Sequence, residues 1–162
     1  MKHLFLFLTL LLGIYDQVYA TKNNYNFQYI TLNEGLSHAD ANTIIKDNKG
    51  FLWIGTYSGL NRFDGIHIKS YYNNLEGAER PNANRILDMD ISDDGIIWIG
   101  SAYGIYSFDT NTETFTNYQV KDNLNNKAIW KIIIQTQYIY LQDKNNKIHL
   151  YKIDKKQHQL IP

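Results

Sequence analysis

A repeat with a period of 45 residues constrains the fold of this chain more than any other feature of its sequence. Residues 50–56 read GFLWIGT and residues 95–101 read GIIWIGS, with Trp53 and Trp98 at the same place in each. Three more residues recur at the same offset: Gly59 and Gly104, Phe63 and Phe108, Asp64 and Asp109. Self-similarity with a period of about 20 to 50 residues is typical of arrays of one supersecondary unit.

Each repeat predicts four short strands joined by tight turns. Residues 48–50 (NKG) and 93–95 (DDG) are turn sequences, because glycine adopts a positive φ without steric cost. The strand around Trp53 is apolar at every position, which predicts burial on both of its faces. Four strands in about 45 residues is the content of one β-propeller blade. We therefore predict an all-β fold of antiparallel, four-stranded blades.

About three such blades are predicted, which is an incomplete propeller. Blade 1 covers residues 41–71, blade 2 covers 84–118, and a degenerate blade 3 covers 128–162. Blade 3 has lost the turn glycines, and we expect Asn145-Asn146 to replace one of them, since asparagine tolerates left-handed geometry. Residues 27–31 match the spacing of a fourth strand and are expected to complete the last blade of a closed ring as an orphan outer strand.

Closed propellers contain about four or more blades, so three blades leave an apolar face uncovered at each end. Repeat proteins bury such faces only against neighbouring repeats. We therefore expect the chain alone to be marginally stable or prone to aggregate, and to be a piece of something longer.

The first twenty residues have the pattern of a secretory signal peptide. Residues 1–3 form a short basic start, residues 4–14 an apolar run, and small residues allow cleavage after Ala20. The apolar run is shorter than the ~20 residues that span a bilayer, although an uncleaved anchor is the alternative. The pattern predicts export to the periplasm and a mature domain at residues 21–162.

The composition excludes several function classes. Lys and Arg number 16, Asp and Glu also number 16, and there is no cysteine. A balanced charge gives little reason to bind nucleic acid or anionic lipid. Without cysteine there are no disulfides, thiolate zinc sites or cysteine nucleophiles.

No sequence pattern predicts a catalytic residue, a metal site or a cofactor. Residues 90–95 (DISDDG) loosely resemble a calcium loop, but the equivalent turn of the first repeat carries Lys49 and the twelfth position is Ser101. A solvated hairpin turn is therefore the preferred interpretation. An acid pair for glycoside cleavage stays open as the alternative, with four candidate carboxylates: Glu76, Glu79, Asp88 and Asp90.

Candidate ligand-binding residues lie in the turns and connections at one end of the strands. Tyr57 and Tyr103 follow the second strand of each repeat, and Arg80, Asn84 and Arg85 lie in the connection that leads into blade 2. Aromatic rings beside polar groups are typical of sugar sites, where rings stack on C–H faces and polar groups bond hydroxyls. Ordinary loop polarity is the alternative for each residue. Trp53 and Trp98 are expected in the core rather than in a ligand site.

The first repeat resembles a known family. Residues 33–37 read NEGLS, 47–56 read DNKGFLWIGT, and 58–65 read SGLNRFDG, a sequence similar to the two-component regulator propeller repeat. The second repeat keeps Trp-Ile-Gly and the segment 104–109 (GIYSFD). This repeat builds the periplasmic sensor of hybrid two-component systems in Bacteroides-type bacteria.

The resemblance implies a function as well as a fold. Members of the family bind breakdown products of complex glycans and signal to a histidine kinase. By this resemblance the chain is a ligand-sensing propeller fragment, not an enzyme. Its implied partners are an oligosaccharide, the remaining blades and the kinase portion of a longer sensor, and a second copy in a homodimer. Two alternatives stay open: a secreted polysaccharide lyase or hydrolase on a propeller scaffold, and a secreted scaffold without a small-molecule ligand.

Overall fold

A computed structural model of the chain describes residues 27–74, 80–121, 124 and 126–162. The predicted signal peptide at residues 1–20, and Glu76 and Glu79, lie outside the described residues. No helix in the described ranges is long and apolar enough to cross a membrane.

Unit 1 is a four-stranded antiparallel sheet in which neighbours in sequence are neighbours in space. A short 3-10 helix, Leu32–Glu34, precedes it, and Thr31 caps this helix by accepting a hydrogen bond from the backbone of Asn33. The strands of unit 1 are β1 (Ala41–Lys46), β2 (Leu52–Thr56), β3 (Gly59–Phe63) and β4 (Ile68–Tyr71).

Units 2 and 3 together form one eight-stranded sheet. Helix α1 (Arg80–Asn84) leads into unit 2, and the two units join through a parallel pairing of their outermost strands, with Leu160 opposite Val120. Unit 2 contains β5 (Ile86–Ile91), β6 (Ile96–Ser101), β7 (Gly104–Asp109) and β8 (Thr114–Val120). Unit 3 contains β9 (Lys131–Gln135), β10 (Tyr138–Gln142), β11 (Ile148–Asp154) and β12 (Gln159–Ile161).

The predicted all-β class and the antiparallel strands are confirmed. Residues 27–31 form no strand in the structure, and Phe27 and Tyr29 are exposed. Each of the three described units already has four strands of its own, so residues 27–31 have no open position to fill among them. The outer-strand assignment therefore stays a prediction.

Two apolar cores lie between the units. Trp53 belongs to the cluster between units 1 and 2, where it contacts Phe108, and Trp98 belongs to the cluster between units 2 and 3, where it contacts Tyr118. Both tryptophans are completely buried, as the sequence predicts, whereas Trp130 is half exposed. In units 1 and 2, the tryptophan of the repeat thus packs in the apolar core between that unit and the next.

The next unit lies close against the glycine of each Trp-Ile-Gly segment. A Cβ added at Gly55 would lie 2.6 Å from the Cγ2 atom of Ile86, and one added at Gly100 would lie 2.9 Å from the carbonyl oxygen of Ile129. Atoms do not approach a Cβ this closely, so any larger residue would push the units apart. Packing between units therefore accounts for the glycine in this part of the repeat.

The aspartate that ends the third strand of each unit shapes the following turn. One carboxylate oxygen of Asp64 accepts hydrogen bonds from the backbone N–H groups of Ile66 and His67. Asp109 and Asp154 do the same for the two N–H groups at the equivalent positions. The three aspartates lie 45 residues apart, so unit 3 keeps the turn chemistry after losing its glycines.

Polar contacts also join the turns of consecutive units. The Lys49 ammonium donates a hydrogen bond to Asn111 at 2.8 Å, between the first turn of unit 1 and the third turn of unit 2. The Lys155 ammonium, in the third turn of unit 3, lies 2.6 Å from the carboxylate of Asp94 in the first turn of unit 2. In both neighbouring pairs, the first turn of one unit thus contacts the third turn of the next, through Asn111 in one case and through Lys155, one position off the repeat, in the other.

Candidate functional site

The candidate ligand site lies at the rim between units 1 and 2, where Arg85 covers the ring of Tyr57. Tyr57 follows β2, and Arg85 immediately precedes β5. The guanidinium carbon of Arg85 lies 4.2 Å from the centre of the half-buried Tyr57 ring, within the range of a cation–π contact. Arg85 itself is exposed, so its donors stay available to a ligand.

The backbone on both sides holds this pair in place. The carbonyl oxygen of Arg85 accepts a hydrogen bond from the backbone N–H of Ala102, and the next residue, Ile86, is buried in the core between units 1 and 2. The backbone N–H of Tyr57 donates to the carbonyl oxygen of Asp40. The ring and the guanidinium are therefore carried by fixed segments rather than by a free loop.

His38 and Asp40 extend the rim, although the sequence did not single them out. The His38 ring centre lies 5.8 Å from that of Tyr57, and its Nδ1 atom accepts a hydrogen bond from the backbone N–H of Asp40. The segment NEGLS places them, because the Ser37 hydroxyl hydrogen-bonds that of Thr56 at 2.9 Å. The NEGLS segment thus holds the residues that follow it in place.

Tyr103 lies apart from this cluster, in the turn between β6 and β7. Its backbone N–H donates to the Ser101 hydroxyl, and its side chain lines a cavity of about 240 Å³ with Asn117 and Asn126. Among the described residues its ring makes no contact with the Tyr57 ring. The structure therefore brings Tyr57 and Arg85 together and leaves Tyr103 in a separate cleft.

Asn84 points into the protein. Its side chain is 8% exposed, its Oδ1 atom accepts from the backbone N–H of Asn73, and its Nδ2 atom donates to the Asn73 carbonyl. This side chain ties the two ends of the connection between units 1 and 2. Arg80 begins helix α1, and its side chain lies outside what the structure describes.

The carboxylates of Asp88 and Asp90 hold strand β9 against β5. An oxygen of Asp88 accepts the backbone N–H of Ile132 at 3.1 Å, and an oxygen of Asp90 accepts that of Ile134 at 2.8 Å. Each carboxylate thus takes the place of a backbone carbonyl as the acceptor for an N–H group of the neighbouring unit. Carboxylates used in this way are poorly suited to acid–base chemistry, so the geometry does not favour the glycosidase alternative.

The loop that resembles a calcium site uses its oxygens internally. The Ser92 hydroxyl donates to one Asp94 oxygen, and the Lys155 ammonium donates to the other. Across the described ranges, no cluster of three or more acids and histidines is arranged to hold a metal ion.

The first repeat is similar in sequence to known proteins. The sequence profile of the two component regulator propeller matches residues 35–58. Histidine kinase P4 of Formosa agariphila is 42% identical over 59 residues, which are 36% of this chain and 4% of that protein.

Two solved structures from B. thetaiotaomicron share the fold. The extracellular domain described as that of a hybrid two component system superposes with a TM-score of 0.67 at 22% identity, over 83% of this chain and 20% of that chain. The extracellular domain described as that of a one component system gives 0.60 at 24% identity, over 83% and 19%. The chain therefore spans a small part of each relative. Its described residues adopt the fold of these extracellular domains, and its residues 35–58 match the sequence profile of the two component regulator propeller.

Proposed function

We propose that the chain is part of the periplasmic ligand-sensing region of a two-component regulatory system, and that its three units are three propeller blades. The observation that carries this proposal is the match of residues 35–58 to the two component regulator propeller profile, and the 59-residue similarity to a relative named a histidine kinase supports it. The likeness of the whole described chain to extracellular domains supports an exported location. In this proposal the chain binds a ligand, and phosphoryl transfer belongs to a kinase portion.

The ligand in this proposal is an oligosaccharide from glycan breakdown, bound at the rim formed by Tyr57, Arg85, His38 and Asp40. The exposed guanidinium of Arg85, held over the half-buried Tyr57 ring, offers a charged planar surface, and the imidazole of His38 and the carboxylate of Asp40 offer further hydrogen-bonding groups for hydroxyls. The cleft beside Tyr103 is a second surface of the same end of the strands. The partners are the remaining blades, the kinase portion and a second copy of the sensor.

Isothermal titration calorimetry with a panel of neutral and acidic oligosaccharides tests whether the chain binds a glycan. We expect one class of oligosaccharide to bind, and Tyr57→Ala or Arg85→Ala to weaken that binding about tenfold, the loss expected for one stacking or charged contact. Tyr29→Ala is the matched control, because this tyrosine is 81% exposed and lies outside the rim.

Equal affinity in the wild-type chain and both rim variants would contradict the site. If a folded chain binds no oligosaccharide, the proposal that the ligand is a glycan is wrong. The proposal of a sensor role would stand, because it rests on the repeat.

A further inference from the structure

The two ends of the array leave open the faces that are packed together at its inner junctions. At the junction of units 1 and 2, a Cβ added at Gly55 would lie within 3.2 Å of side-chain atoms of Ile86 and Met89. In the part of the chain that the structure describes, no unit precedes unit 1 and none follows unit 3. One face of each of these two units is therefore open.

Tyr140 takes the place of the Trp-Ile-Gly glycine on the open face of unit 3. It lies opposite Leu150 in the sheet, as Gly55 lies opposite Leu60, and the two leucines are two repeats apart. The preceding residue, Ile139, is completely buried in the core that unit 3 shares with unit 2. Since side chains alternate between the two faces of a strand, Tyr140 points to the open face.

The open face of unit 1 carries a small residue where unit 2 carries a large one. Ala41 and Ile86 are 45 residues apart, and each is the first residue of the first strand of its unit. Beside Ala41 lies a hollow of about 320 Å³, which is also lined by Leu36, Ile44 and Ile54. Ile44 is 60% exposed. The hollow is therefore largely apolar and open to a partner.

We propose that the open face of unit 3 docks on the open face of unit 1 in a second copy of this chain, with the Tyr140 ring in the hollow beside Ala41. At the junction of units 1 and 2, the small Gly55 faces the large Ile86. At the docked junction the two sides exchange their large and small residues. Asn42, which also lines the hollow, offers a polar partner for the tyrosine hydroxyl.

The rest of the open face of unit 3 is also largely apolar. Four residues on the same side of the sheet as Tyr140 are 40–67% exposed: Ile133, Tyr138, Ile148 and Leu150. Contiguous apolar surface of this kind marks an interaction site. Because the corresponding faces of units 1 and 2 are each covered by another unit, a unit of the same build is the partner that fits.

Two copies joined in this way close on themselves. Each copy has one open face of each kind, so the second copy covers both ends of the first. Two copies of three units give six units, within the range of about four to eight blades found in closed propellers. This step rests on the proposal that the units are propeller blades, and it is independent of the proposed oligosaccharide.

Size-exclusion chromatography with light scattering of the 162-residue chain, over a range of concentrations, tests the closed pair. We expect the molar mass to rise with concentration and to level off at two copies, twice the 19.0 kDa of one chain. A mass that stays at one copy, or that grows beyond two copies without levelling off, overturns the closed pair. Neither result depends on whether the chain binds an oligosaccharide.

Ala41→Ile tests the hollow itself. It introduces the residue that unit 2 carries at this position, so the Tyr140 ring no longer has room, and the dissociation constant should rise about tenfold or more. Ala41 is exposed, so the substitution leaves the fold of one copy intact. Ala41→Ser is the matched control, which keeps a small side chain and should associate like the wild-type chain. Equal association of Ala41→Ile and wild type overturns the proposal, since that result is expected if two unit 3 faces pair with each other.

A double variant tests whether the two residues meet. Tyr140→Gly alone leaves the hollow empty and should weaken association, whereas Tyr140→Gly combined with Ala41→Ile recreates the contact of glycine with isoleucine and should restore it. A folded double variant that associates no better than either single variant overturns the assigned contact. Circular dichroism establishes folding, and if Tyr140→Gly does not fold, the comparison of Ala41→Ile with Ala41→Ser decides alone.

Discussion

At the scale of single residues, Glu113 joins two units from the turn between β7 and β8. One of its oxygens accepts hydrogen bonds from Arg62 at 3.0 Å and from the Tyr71 hydroxyl at 2.7 Å, and the other accepts from Lys69. The hydrogen bond from Lys69, followed by that from Tyr71, lowers the pKa of Glu113 below its ordinary value of 4.5. Its ionised form is therefore favoured in the folded chain.

The lowered pKa predicts a pH-dependent contribution of Glu113 to stability. A group whose pKa falls on folding stabilises the protein above its unfolded-state pKa, and this stabilisation is lost as the pH falls through the folded-state pKa. We expect Glu113→Gln to lower the free energy of unfolding by about 1 kcal/mol near pH 7, a modest value because the carboxylate is partly exposed.

Chemical unfolding at several pH values measures this contribution. The difference between Glu113→Gln and wild type should shrink as the pH falls through the lowered folded-state pKa of Glu113, because the carboxylate is then protonated in both states. Asp93→Asn is the control, since this exposed acid lies in another turn. A difference that stays constant over the pH range would contradict the prediction.

At the scale of elements, strand β9 depends on acids from the neighbouring unit. Asp88 and Asp90 accept two of its backbone N–H groups, so their removal leaves donors unpaired at the junction of units 2 and 3. We expect Asp88→Ala to lower the free energy of unfolding by about 1–3 kcal/mol, the cost of a buried unpaired donor. Asp88→Asn keeps an acceptor oxygen and should cost less. Equal stability of all three chains, measured in urea, would contradict this role.

The close packing of unit 2 against Gly55 predicts that a larger residue at this position destabilises the chain. Gly55→Ala places a Cβ within 2.8 Å of side-chain atoms of Ile86 and Thr43, so the two units must separate. Overpacking of this kind costs about 1–3 kcal/mol. Gly50→Ala is the control: it has open space around it, and its cost comes from a φ of 92° alone. Thermal unfolding should show the larger loss for Gly55→Ala.

The elements also show how far the sequence predicts this structure. The 45-residue period locates β2 and β6, the buried tryptophans and the aspartate turns, because these depend on local geometry that recurs in each unit. The prediction that asparagine replaces a turn glycine in unit 3 is confirmed by Asn146, which has a φ of 62°.

Contacts between units were not predictable in the same way. The carboxylates of Asp88 and Asp90 accept hydrogen bonds from backbone N–H groups 44 residues away, and no local sequence pattern indicates such a pair. Asn84 was expected at the rim, but the Asn73 backbone satisfies it in the interior. His38 was overlooked because its place at the rim depends on how NEGLS docks on unit 1.

At the scale of the whole molecule, unit 3 presents an apolar face. Ile133, Tyr140 and Leu150 lie side by side across β9, β10 and β11, and Ile133 is 60% exposed. On the opposite side of the array, Ile44 of β1 is also 60% exposed. Exposed apolar patches of this kind favour association.

We therefore expect the chain to self-associate as its concentration increases, in agreement with the expectation that three units leave apolar faces uncovered. Ile133→Lys should shift the molar mass from light scattering towards that of a monomer, because it places a charge in the most exposed part of the patch. Lys152→Arg, on the next register position of the same sheet, is a matched control that keeps the charge. A wild-type chain that stays monomeric at all concentrations would contradict this expectation.

The contacts between turns carry a further consequence, for how such an array can evolve. Lys49 of unit 1 faces the neutral Asn111 of unit 2, whereas Asp94 of unit 2 faces the positive Lys155 of unit 3. Recombination that deleted unit 2 would set Lys155 beside Lys49, and two ammonium groups would repel each other at the new junction. The turn contacts therefore differ in charge from one junction to the next, so the units are not interchangeable at these turns.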